Sequence, residues 1–101
     1  MTLILVRKEN KLLLGYKKRG FGSDKWNGFG GKVEKNETIV QGAMRELREE
    51  CGLTGLNPKF LAILEFYLGD KHFLIHLFTV FDFEGEIIES EEMKPEWFSI
   101  D

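Results

Sequence analysis

The sequence predicts an α+β domain, with one amphipathic helix packed on a mixed sheet. Three observations predict it. A single stretch, about residues 39–51, carries apolar residues with the period of a helix. Apolar runs of strand length flank it at 2–7, 11–18, 59–68 and 72–83. Glycine clusters separate the runs, above all between Gly20 and Gly31.

The elements follow in order. Thr2 to Arg7 is apolar and β-branched enough for a strand, and residues 11–18 are its hairpin partner across a turn near Glu9 and Asn10. From Arg19 to Gly31 glycines and aromatics alternate, which marks irregular backbone able to approach a ligand closely. Thr38 to Gln41 fits a capping box that starts the helix, and Gly52 stops it. At ~100° per residue, Ile39, Val40, Ala43, Met44, Leu47 and Cys51 share one apolar arc, the face expected to lie on the sheet. After Pro58, the runs 59–68 and 72–83 join through Gly69-Asp70-Lys71 as a second hairpin, whose strands are expected to be largely buried. An acidic segment from Glu84 to Glu92 leads to a last short strand at Pro95 to Phe98.

With 101 residues the chain is expected to be one domain, 1–101. Hydrophobic content of 43%, with nine phenylalanines, supports a packed core. A net charge of −3 argues against a nucleic-acid polymer as partner. The lone cysteine, Cys51, cannot form an internal disulfide, and no apolar run approaches the ~18 residues of a membrane span. The expectation is a cytoplasmic monomer with no membrane partner, the nucleus and mitochondria remaining open.

The chemistry concentrates in the helix. Glu46, Glu49 and Glu50 stand at i, i+3 and i+4, where like charges repel by about 0.2–0.5 kcal/mol per pair. They also crowd the C-terminal half, where the helix dipole opposes negative charge. A cation offsets both costs, and an oxygen-only donor set points to Mg²⁺ or Mn²⁺. Arg45 is placed to pair with Glu49 or with Glu37, either contact holding a carboxylate in position. A solvated charged face is the plain alternative, opposed by the glycines that frame the segment at both ends.

Gly31, Glu37, Arg45-Glu46-Leu47, Glu49-Glu50 and Gly52-Leu53 match all nine defining positions of the Nudix box, and the chain resembles the Nudix hydrolase family. The resemblance implies an α/β/α sandwich with a mixed sheet and a loop–helix–loop that carries Mg²⁺. It implies Glu46, Glu49, Glu50 and the Gly30 carbonyl as metal ligands, with Glu92 completing the site. The proton acceptor for an attacking water is Glu49, Glu50 or Glu92. Outside the box, residues 14–22, 25–34 and 89–98 are similar to the branch of the family that hydrolyses oxidised purine nucleoside triphosphates of the 8-oxo-dGTP or 2-hydroxy-dATP type. That likeness implies a nucleoside triphosphate substrate, split to a monophosphate and pyrophosphate. It implies Thr2, Phe21 and Asn27 at the purine and Lys17 toward base or phosphate.

Two departures matter. Members of that branch continue past the position of Asp101 with a Trp-Pro-Asp-Asp stretch and a C-terminal helix, so the chain is expected to be C-terminally incomplete. The hairpin from Glu65 to His76 is one residue short, and Glu65 stands where the branch has a pocket phenylalanine. The alternatives are a Nudix hydrolase of another diphosphate-linked compound (a dinucleotide polyphosphate, a nucleotide sugar or an RNA cap) and a non-catalytic nucleotide-binding module. The complete set of box carboxylates argues against the second.

Overall fold

A computed structural model describes residues 1–20 and 23–100. Its strands are β1 (Thr2–Lys8), β2 (Lys11–Lys17), β3 (Trp26–Asn27), β4 (Thr54–Leu56), β5 (Lys59–Leu68), β6 (Lys71–Val80), β7 (Asp82–Glu84) and β8 (Met93–Ser99), and its helix is α1 (Ile39–Cys51). The main sheet runs β3-β2-β1-β6-β5, and β8 pairs with β2. Only β1 and β6 run parallel among these pairs, so the sheet is mixed as expected. Among the described residues, no helix is long and apolar enough to cross a membrane.

The β1–β2 hairpin turns at Glu9 and Asn10, but its strands pair only from Val6↔Leu13 to Lys8↔Lys11. Beyond Val6 they splay, and residues 26–31 enter the gap. Trp26 and Asn27 run antiparallel to β2. The chain then reverses at Gly28, and Phe29 pairs antiparallel with Ile4. This wedge holds the glycine-rich loop against the sheet. Its two-residue strand was hidden in the sequence because its pairing comes from neighbours, not from its own composition.

The helix starts and stops where its caps require. Thr38 accepts from the Gln41 N–H, and the Gln41 side chain returns a hydrogen bond to the Thr38 N–H, a complete capping box. Gly52 closes the other end at φ 84°, and its N–H donates to the Arg48 carbonyl at 2.9 Å. The apolar arc is used from Gly42 onward: Ala43, Leu47 and Cys51 join Ile4, Val6, Leu13, Phe29, Phe78 and Val80 in the core. Ile39 and Val40 are exposed, contrary to expectation, because the first turn stands clear of that core.

The second hairpin forms, but of its two strands only the end of β6, Phe78 to Val80, is buried. Phe60, Leu61, Ile63, Phe66, Tyr67 and Leu68 are each at least half exposed. The reason is position: β5 is the sheet edge, while α1 packs chiefly on β1, β4 and β8. An apolar run of strand length reports a strand without reporting which neighbours cover it. The run 72–83 is also two strands, since β6 ends at Val80 and β7 leaves to pair with β4 in a separate two-stranded sheet. The last strand extends past its expected bounds to Met93–Ser99, in register with all of β2.

Candidate active site

The loop 26–31 and the outward face of α1 meet at the N-terminal end of β1. Arg45 organises the helix side. Its guanidinium donates to both Glu37 oxygens, to Glu46 at 3.0 Å, to Glu49 at 3.1 Å and to the Lys32 carbonyl at 3.0 Å. Glu34 lies within 3.4 Å. The two partners left open by the sequence, Glu37 and Glu49, are thus both engaged. The hydrogen bonds it donates to Glu37, then to Glu46 and Glu49, hold the guanidinium firmly charged against the opposing effect of burial.

Glu37 ties this cluster to the loop before the helix, because its carboxylate also accepts from the Glu34 N–H at 2.7 Å. The Arg45 hydrogen bonds and then the Glu34 N–H hold its pKa below the ordinary carboxylate value. A carboxyl depressed on folding contributes stability above its unfolded pKa and loses it as pH falls through the folded one. Glu37→Gln is therefore expected to melt lower than the parent at pH 7. The gap should close as pH drops below about 4, read by thermal melts across pH.

Glu50 faces the other way. Its Oε1 accepts from the Gly30 N–H at 2.8 Å. Burial pushes its pKa up to about 7; the Gly30 hydrogen bond and Lys17 oppose the rise, while Glu46 and Glu92 add to it. Glu46 is likewise raised, first by burial and against the pull of Arg45. The glycines are essential to this closeness. A Cβ on Gly31 would meet the Glu46 carboxylate at 2.8–3.0 Å, and one on Gly30 would lie 1.9 Å from the Thr2 carbonyl oxygen.

The three helix glutamates share a face without closing on one point. Glu46 and Glu49 turn to Arg45, the nearest counter-charge, and Glu50 turns to Gly30. Among the described residues, no three Asp, Glu, His or Cys groups are gathered as a metal shell. The donor set nonetheless fits a hard divalent cation: Glu50 is a buried carboxylate whose acidic neighbours disfavour its charge, and the Gly30 carbonyl is reached by no donor among the described residues. Glu92 accepts from Arg19 Nε at 3.1 Å and from no other described side chain, so Arg19 is its present partner.

A cleft of about 450 Å³ opens at this carboxylate end. Gly30, Glu50, Thr2, Lys17 and Asn27 line it, with Trp26, Leu64, Phe66 and Ile75 as an apolar wall. Asn27 Oδ1 accepts from the Gly28 N–H at 2.8 Å, which leaves the amide NH₂ to address the cleft. Thr2 is 3% exposed and its hydroxyl is engaged with Gly31, so it forms the floor of the cleft. Phe21 lies outside the described residues.

Sequence reasoning missed Leu64, Phe66 and Ile75 of the wall, as well as Glu34 and Arg19. Leu64 and Phe66 had a usable signal, since alternation along β5 puts them on the face of Ile75 across the pair. Cys51 takes no part: it is buried in the core, and burial pushes its thiol up to about 11.

The family model for the NUDIX domain matches residues 1–101. The chain is 50% identical to the oxidized purine nucleoside triphosphate hydrolase of Danio rerio over 100% of its own length, and 46% identical to that of Mus musculus over 99%. It spans 66% and 65% of those proteins' lengths. The crystal structure of the MutT protein from Bacillus halodurans superposes with a TM-score of 0.83 at 32% identity, covering 97% of this chain and 66% of that one. With the box residues gathered along α1 and its two glycine loops, the chain belongs to the NUDIX domain family.

Proposed function

We propose that this protein is a Mg²⁺-dependent hydrolase of oxidised purine nucleoside triphosphates, releasing the monophosphate and pyrophosphate. The observation that carries the reading is the single cleft that places Glu50 and Gly30 at one end and Asn27, Trp26 and Phe66 along the rest. The likeness to the fish and mouse hydrolases supports the substrate class.

Glu46, Glu49, Glu50 and the Gly30 carbonyl would hold the cation, with Mn²⁺ able to replace Mg²⁺, and Glu92, whose charge acts on Glu50, would join them. A cation held there would supply charge neutralisation to the phosphates and would make water a better nucleophile near neutral pH. The chain's own groups do the rest. Lys17 presents a mobile positive charge to the phosphates or the base. Asn27 donates from its NH₂ to an acceptor on the purine edge, and the apolar wall excludes water from the ring. Arg45 keeps Glu46 and Glu49 on the correct face. Glu49, Glu50 or Glu92 would take the proton of the attacking water.

The test is a nucleotide panel with Mg²⁺ in ¹⁸O water. The expected result is faster turnover of 8-oxo-dGTP or 2-hydroxy-dATP than of dGTP or dATP, with the label in one product. Faster turnover of a dinucleotide polyphosphate, a nucleotide sugar or a capped RNA would overturn the substrate assignment.

A further inference from the structure

Thr2 touches the site in a way that its position in the sequence does not suggest. Its N–H donates to the Gly31 carbonyl at 2.8 Å, its hydroxyl donates to the same carbonyl at 3.3 Å, and the hydroxyl oxygen accepts from the Gly31 N–H at 3.3 Å. The side chain is buried at the start of β1. A threonine hydroxyl has one proton, and here it is committed to Gly31. Little remains for a ligand.

The peptide between Gly30 and Gly31 is a rigid plane in which the C=O of Gly30 and the N–H of Gly31 point in opposite directions. Fixing that N–H on Thr2 Oγ1 therefore fixes the direction of the Gly30 carbonyl, away from β1. The preceding peptide is fixed too, because the Gly30 N–H donates to Glu50. One anchor comes from the sheet and one from the helix. Between them stands the carbonyl that no described donor reaches.

We infer that Thr2 is a positioning residue that aims the Gly30 carbonyl at the cation, rather than a contact to the purine. The inference rests on the metal reading above. Two substitutions bear on this: Thr2→Val keeps the β-branched shape and removes the hydroxyl, and Thr2→Ser keeps the hydroxyl and removes the methyl.

Mn²⁺ affinity, measured by the electron paramagnetic resonance of the free ion, separates the roles. The wild-type protein is expected to bind Mn²⁺, Thr2→Val about 10-fold more weakly, and Thr2→Ser within about twofold of wild type. With nucleotide, Thr2→Val is expected to lose kcat at a KM near that of wild type. Equal Mn²⁺ affinity of Thr2→Val and wild type overturns the inference, and a raised KM alone returns Thr2 to the purine. If Thr2→Val does not fold, amide exchange in the wild-type protein decides: a protected Gly31 N–H supports the anchor, and exchange at the free-peptide rate overturns it. Absence of Mn²⁺ affinity in wild type overturns the metal reading itself, before any variant is compared.

Discussion

Glu50→Gln is expected to lower turnover at least about 100-fold while leaving the metal-free melting temperature unchanged or slightly higher. The substitution keeps the volume and an oxygen to accept from the Gly30 N–H, so the loop anchor survives. It removes only the charge. In the folded protein that charge is costly, since burial together with Glu46 and Glu92 holds the carboxyl up at about 7. A buried carboxylate that resists ionisation contributes nothing to the fold by being charged, and such groups cluster at functional sites. Turnover at saturating Mg²⁺ and a thermal melt of the same sample check both halves. A large stability loss with turnover intact would assign Glu50 to the fold alone.

Arg45→Ala is expected to have the largest effect on stability, lowering the melting temperature by roughly 10 °C, with turnover falling as well. Among the described residues, its guanidinium is the one group that reaches Glu34, Glu37, Glu46 and Glu49 together, and it also satisfies the Lys32 carbonyl. Without it these four carboxylates lose the ion pair they share. Arg45→Lys is expected to fall between, because an ammonium is a point charge that cannot fork to Glu37 while reaching Glu46. Calorimetry of the three proteins at neutral pH is the check. An unchanged melt for Arg45→Ala would mean that solvent already carries these charges.

The helix was legible in the sequence because its signals are local. Thr38, Gln41 and Gly52 act within one turn of the backbone they cap. The carboxylate face was legible too, since i, i+3 and i+4 spacing fixes direction on a helix. What the spacing could not fix was the rotamer: Glu50 turned to Gly30, and Glu46 and Glu49 turned to Arg45. The exposed β5 was unreadable for a different reason. Phe60, Ile63 and Phe66 have the composition of a buried strand, but burial depends on which element lies over them, a matter of topology. The wedge at 26–31 was read as loop because its partners, Gly15 and Ile4, come from strands that separate only in three dimensions. Thr2 shows the same limit. Nothing near it in the chain announces Gly31, twenty-nine residues away.

The account turns on oxygen donors at the loop–helix junction holding one divalent ion. Calorimetric titration of the wild-type protein and Glu50→Gln with Mn²⁺ tests this most directly. Saturable binding by wild type, weakened at least about 10-fold in Glu50→Gln, is the predicted result. Equal binding by the two folded proteins, or none by wild type, would contradict it.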